Sequence, residues 1–249
     1  MKKGIYILPN LITMGNMFFG FYAILAVFNG RYEQAAIGIL IAGVMDGLDG
    51  RVARMTHSSS KFGIEFDSLS DLVSFGLAPA LLMYSWALQP MGRLGYAAAF
   101  LFAVCGAMRL ARFNVQYASS ESKHFTGLPI PIPAGFIASI VILYTHFDIK
   151  IENPQRLLIL TYFLAFLMVS TIRYRSFKEL DFKKRKPFGI LVAASLLLFL
   201  IASEPQIMLF ALFGLYITSG LFEYLVIEHR VPLVDWLRER HAAAHHKNS

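Results

Sequence analysis

Four aspartates, Asp46, Asp49, Asp67 and Asp71, fall in a stretch of chain that otherwise reads as membrane helix. A carboxylate placed in bilayer hydrocarbon costs roughly 2.5–3.5 kcal/mol on insertion scales, so each one needs a partner or a task. Asp46 and Asp49 stand at i and i+3, and Asp67 and Asp71 at i and i+4, so each pair projects from one face of its helix. If the two helices are antiparallel neighbours joined by the short loop HSSSKFGIE, the pairs face each other at one depth. Four converging carboxylates repel one another strongly in a low dielectric. Arg51, Arg54 and Lys61 are close in sequence, but divalent cations neutralise such a cluster better. Oxygen-only ligation selects hard ions, Mg²⁺, Mn²⁺ or Ca²⁺, over zinc or copper. Two alternatives stay open on the acids alone: an Asp–Arg network that merely fixes the helix pair, and a proton or cation path.

The residues around the acids add a second feature. Gly43, Gly47 and Gly50 recur at i, i+4 and i+7 and leave one stripe of the helix without side chains. Such a stripe commonly serves helix packing. Here it adjoins the Asp46/Asp49 face and runs on towards Ala53 and Arg54, so a nucleotide has a flat wall to lie against, with Arg54 near its phosphates.

These residues must be positioned by helices in a bilayer. The chain of 249 residues is 56% hydrophobic and only 16% charged, too apolar for a soluble globular domain. The apolar runs are long and separated by short polar breaks, which argues against a disordered chain, a disulfide scaffold and a nucleic-acid-binding domain. The fold expected is all-α, a polytopic transmembrane bundle of about eight spans: Leu11–Phe28, Gln34–Met55, Phe66–Leu88, Leu94–Phe113, Pro133–His146, Leu157–Ile172, Phe188–Ile201 and Ile207–Ile227. With the N-terminus inside, nineteen of the 23 Lys and Arg fall on one side, including a basic loop at 173–187 and a tail at 228–249. Arg31, Arg93, Lys150 and Arg156 fall on the other. That asymmetry follows the positive-inside rule, puts both termini in the cytoplasm and explains the net charge of +7 without a nucleic-acid partner. Contact with anionic membrane lipids is a secondary benefit. Lys2 and Lys3 precede a run that continues into VFNGRYE with no small-x-small cleavage site, so it reads as the first anchor and residues 1–249 as one membrane domain. Cys105, alone in an apolar run, reads as a small buried residue.

Written out, the acidic segment is DGLDGRVARMTHSSSKFGIEFDSLSD, or D-x2-D-G-x2-A-R-x8-G-x3-D-x3-D. It resembles the signature of the CDP-alcohol phosphotransferase family, with Asp46, Asp49, Gly50, Ala53, Arg54, Gly63, Asp67 and Asp71 all in place. The N-terminal PNLIT also resembles that family's entry to its first helix. The resemblance implies a six-helix core, here with two additional spans, usually a homodimer, in the cell membrane with its active site facing the cytoplasm. It implies transfer of a phosphoryl-alcohol group from a CDP-linked donor to an acceptor hydroxyl, with release of CMP. On the matching positions the resemblance implies that Asp46, Asp49 and Asp67 ligate two divalent ions, Mg²⁺ or Mn²⁺, and that Asp71 completes the metal site and acts as general base. Gly50 and Ala53 line the cytidine pocket, and Arg54, Lys61 and Gly63 complete the expected contacts to the CDP-lipid. A pyrophosphate needs its charge neutralised as the bond breaks, and a hydroxyl acceptor needs a base, so the residues and the resemblance agree.

A second segment, MRLARFNVQ followed by HFTGLPIPIPAG, resembles the branch of the family that uses CDP-diacylglycerol and L-serine. Arg109 and Arg112 end the fourth expected span at i and i+3, with Asn114 just beyond. Guanidinium binds a carboxylate bidentately, so these three are the expected serine contacts, and positive-inside anchoring is the alternative role of the arginines. Another acceptor, such as glycerol 3-phosphate, inositol phosphate or choline, remains the alternative within the family, and a carboxylate-lined cation transporter the alternative outside it. A transporter should carry its acids on several spans near the midplane, whereas these lie on two helices at one membrane face.

Overall fold

The computed structural model describes residues 7–55, 60–119, 127–172, 174, 195 and 203–224, and these contain only helices and their connections. Seven helices, numbered over the described residues, are α1 (Ile7–Phe28), α2 (Tyr32–Met55), α3 (Lys61–Met91), α4 (Arg93–Ser119), α5 (Pro131–His146), α6 (Pro154–Val169) and α7 (Pro205–Glu223). Four are long and apolar enough to cross a membrane: Leu8–Phe28, Lys61–Met91, Arg93–Gln116 and Pro205–Glu223. Two more, α5 and α6, are shorter apolar helices. Seven of the eight expected spans thus coincide with helices. The eighth, Phe188–Ile201, lies outside the described residues except for Ser195.

Local sequence sets where these helices begin. Proline occupies the first position of α5, α6 and α7, where its missing N–H costs nothing and its fixed φ suits a helix. Ser60 caps α3, its Oγ accepting from the Gly63 N–H at 2.9 Å. The loop expected over HSSSKFGIE is therefore shorter than the sequence pattern suggested, because capping at Ser60 starts the helix at Lys61. At the end of α1 the Gly30 N–H donates to Val27 O (3.0 Å) and the Arg31 N–H to Ala26 O (2.8 Å), the paired bonds that close a helix C-terminus before a sharp reversal into α2. The sixth helix stops at Val169, three residues before the expected Ile172. Ser170 turns extended (φ −62, ψ 164) and the Ile172 carbonyl accepts from the Gly127 N–H instead of a helical donor.

α3 is not a uniform α-helix. It holds π-helical turns at Leu72–Leu77 and Tyr84–Leu88, each just before a proline, Pro79 and Pro90. A proline ring clashes with the carbonyl four residues back, and the wider turn relieves that clash without breaking the span.

The packing is that of a membrane bundle. The outward faces carry large apolar side chains, such as Leu11, Met14, Phe18 and Phe21 on α1, Phe100 and Met108 on α4 and Leu215 on α7. The interior near one end is polar instead, with Thr13, Asn16, Asp49, Ser70, Asp71 and Ser74 all buried. Lipid tails solvate the first set, and only protein can satisfy the second. The remaining core is apolar, built on Phe75, Leu82, Phe102, Leu128, Ile137 and Leu164. Helices α1 and α3 come unusually close at Gly20, where a Cβ would stand 2.7 Å from Ser74 Cα. That contact fixes the register that lets α1 serve the aspartates.

Candidate active site

Antiparallel α2 and α3 bring their acids together at one end of the bundle. One carboxylate oxygen each from Asp46, Asp49 and Asp67 lies within 4.8 Å of the others. Asp49 is 4% exposed and accepts from Thr13 Oγ1 at 2.9 Å, with Pro9 O at 3.1 Å as that hydroxyl's other acceptor. Asp67 Oδ1 is buried and has no hydrogen-bond partner among the described residues. Three converging hard oxygen donors, one of them buried and unsatisfied, are chemically suited to a divalent cation.

Asp71 lies within electrostatic reach of all three. It is 8% exposed, and its Oδ1 accepts from Asn16 Nδ2 at 3.0 Å. Neither Thr13, the last residue of PNLIT, nor Asn16 is among the site residues expected from the sequence. The available signal was two polar side chains at i and i+3 on an otherwise apolar helix, a pattern that is costly in lipid unless the polar groups meet partners. Two further bonds clamp α1 to α3 here, Ser70 Oγ to Thr13 O (3.1 Å) and Ser74 Oγ to Asn16 O (3.0 Å).

The glycine stripe divides into two parts. A Cβ at Gly43 would meet Phe75 at 3.8 Å, which is packing against α3. A Cβ at Gly47 or Gly50 would meet nothing within 4 Å, so beside Asp46 and Asp49 the stripe borders open space. Gly63 sits against Ser60 and Asn10, and Lys61 is exposed at the first turn of α3. Ala53 and Arg54 belong to the last turn of α2, and their side chains lie outside the described part.

The three acceptor-site candidates on α4 separate in the structure. Arg109 lies within electrostatic reach of Asp71 and Asp46, and its Nε is buried without a hydrogen-bond partner among the described residues. Arg112 turns away and donates through Nη1 to Val169 O at 3.2 Å, at the end of α6. Asn114 bridges to α3, accepting from Ser68 Oγ and donating to Glu65 Oε2, both at 3.1 Å. Arg109 alone of the three is brought to the aspartates.

A bundle that brings three aspartates together beside a polar helix face, Asp49 buried and Asp46 and Asp67 half-buried, with open space along its glycines and one guanidinium within electrostatic reach, is suited to a metal-bound phosphate. The family model for CDP-alcohol phosphatidyltransferase matches residues 6–171, and the chain belongs to that family. It is 36% identical over 224 residues to the CDP-diacylglycerol–serine O-phosphatidyltransferase of Helicobacter pylori (strain ATCC 700392 / 26695), covering 90% of this chain and 93% of that protein. It is 35% identical over 172 residues to the protein of the same name from Bacillus subtilis (strain 168), covering 69% and 92%. It is also 38% identical over 169 residues to the archaetidylserine synthase of Methanothermobacter thermautotrophicus, covering 67% and 69%.

Proposed function

We propose that this protein makes phosphatidylserine, transferring the phosphatidyl group of CDP-diacylglycerol to the hydroxyl of L-serine and releasing CMP. The observation that carries the reading is the placement of Arg109 beside Asp71, next to the Asp46/Asp49/Asp67 cluster. It pairs a carboxylate binder with a base at the edge of a phosphate site, which suits an amino acid whose hydroxyl is the nucleophile. Relatives matched over most of this chain bear names with the same donor and acceptor.

Asp46, Asp49 and Asp67, with Asp71 completing the set, would hold two divalent ions, Mg²⁺ or Mn²⁺, in this scheme. Such ions neutralise the pyrophosphate and orient the leaving group. The protein's own groups do the rest. Gly47 and Gly50 leave room for the cytidine half of the donor, with Ala53, Arg54, Lys61 and Gly63 around it. Arg109 holds the serine carboxylate and keeps it off the aspartates. Asn16 fixes one oxygen of Asp71, and the other receives the serine hydroxyl proton. The serine oxygen then bonds to the phosphorus bearing the diacylglycerol, and the bond to the CMP oxygen breaks with its electron pair leaving on CMP.

The cytoplasmic membrane is the proposed location, with both termini and the site facing the cytoplasm, about eight spans and a homodimer. The charge asymmetry supports the orientation, the exposed apolar faces support the bilayer, and the family resemblance supports the dimer. The test is purified protein given CDP-diacylglycerol, Mn²⁺ and labelled serine. Phosphatidylserine and CMP should appear in equal amounts. Lipid product formed with labelled glycerol 3-phosphate or inositol phosphate but not with labelled serine would overturn the assignment of the acceptor.

A further inference from the structure

The family match ends at residue 171, yet two tyrosines beyond it reach the site. Tyr174 follows α6 and is 5% exposed, and its ring stacks on Tyr216 of α7 with centroids 5.8 Å apart and planes at 20°. Tyr216 in turn lies within electrostatic reach of Arg109. The Tyr174 hydroxyl is buried and has no hydrogen-bond partner among the described residues, like the Arg109 Nε. Buried polar groups are nearly always paired, so two unpaired donors across one stacked pair of rings point to a ligand that is absent.

This corner is firmly built. The Leu128 N–H donates to Leu167 O (3.0 Å), the Gly127 N–H to Ile172 O (2.9 Å) and Arg112 to Val169 O (3.2 Å), so the chain leaving α6 is tied to α4 and to the entry of α5. Gly127 has φ +87 and its missing Cβ would run into Met168 O, so no other residue fits there. On the far side the Tyr174 ring lies flat on Gly220 of α7. Neither ring is free to swing into a better hydrogen bond.

We propose that Tyr174 and Tyr216, beyond the residues that the family model matches, complete the acceptor pocket: the Tyr174 O–H and the Arg109 Nε–H together take the two carboxylate oxygens of the amino-acid acceptor, and Tyr216 walls the pocket between them. This rests on the serine reading above. Two unpaired donors match one carboxylate, which offers two oxygens and needs both satisfied once it leaves water. A pair that holds the acceptor's carboxylate sets affinity and choice of acceptor and leaves the transfer step to the aspartates.

The test compares L-serine with ethanolamine, which has the hydroxyl and the amine but no carboxylate, in wild type and Tyr174→Phe. The substitution keeps the stacked ring and removes only the hydroxyl, and a thermal melt in detergent without serine should not fall. We expect the KM for serine to rise about tenfold or more, in line with a lost hydrogen bond to a charged group. The KM for CDP-diacylglycerol, the kcat and the weaker ethanolamine reaction should stay unchanged, so the serine-to-ethanolamine preference falls by the same factor. An unchanged serine KM, or equal losses with both acceptors, overturns the proposal. A wild type that makes no phosphatidylserine refutes the functional reading itself, which is a separate outcome.

Discussion

Asn16→Leu is the perturbation that most directly separates the base from the metal ligands. Asn16 is fully buried and donates to Asp71 Oδ1 at 3.0 Å. A hydrogen bond to a charged group contributes about 1.5–3 kcal/mol. If that energy orients Asp71 for proton transfer, its loss lowers kcat by roughly 10- to 150-fold. Folding stability should barely move, within about 1 kcal/mol, because two effects oppose each other. Asp71 loses a donor, while the Asn16 Oδ1, buried without a partner, disappears with the side chain. The metal dependence should also stay put, since Asn16 touches Asp71 and not the group formed by Asp46, Asp49 and Asp67. Asp49→Asn is the contrast, expected to abolish most turnover and to raise the divalent-ion concentration needed for what remains. The assays are initial rates at saturating substrates, a Mn²⁺ titration and a thermal melt in detergent. A rate within twofold of wild type would show that Asn16 does not hold the base. Rescue of Asn16→Leu to the wild-type rate by excess Mn²⁺ would show that Asn16 serves metal binding and not the positioning of the base.

Three further outcomes are expected. Arg109→Lys keeps the charge but loses the planar fork, so the KM for serine should rise at least tenfold while that for CDP-diacylglycerol changes little, whereas Arg112→Lys, which weakens the bond of Arg112 to Val169 O, should cost about 1 kcal/mol of stability and leave both KM values alone. Gly50→Val should raise the KM for CDP-diacylglycerol with little change in melting temperature, because an added Cβ there meets nothing within 4 Å among the described residues; an unchanged KM would place the nucleotide elsewhere. A cysteine at the exposed Lys61 should react with a membrane-impermeant thiol reagent only in inverted vesicles, and labelling from the outside of intact cells would reverse the topology.

The sequence alone was enough to find the aspartates and their helices. Spacings of three and four residues put Asp46 with Asp49 and Asp67 with Asp71 whatever the tertiary context, and carboxylates in an apolar run demand a reason. Helix existence was legible for the same local reason, since long apolar runs have few other solutions in a bilayer. Boundaries were less so. They depended on Ser60 capping α3 and on the Ile172 carbonyl being taken by Gly127, a bond between residues 45 positions apart in the chain. The partners of the aspartates were decided only by folding. Thr13 and Asn16 meet Asp49 and Asp71 because α1 packs onto α3 closely enough at Gly20, and no local pattern states which helices touch. Arg109 and Arg112 illustrate the limit most plainly. They are one turn apart with the same chemistry, and only the rotation of α4 against its neighbours sends one guanidinium to the aspartates and the other to the end of α6. Side-chain spacing is encoded within a helix, but the direction a helix faces is a property of the whole bundle.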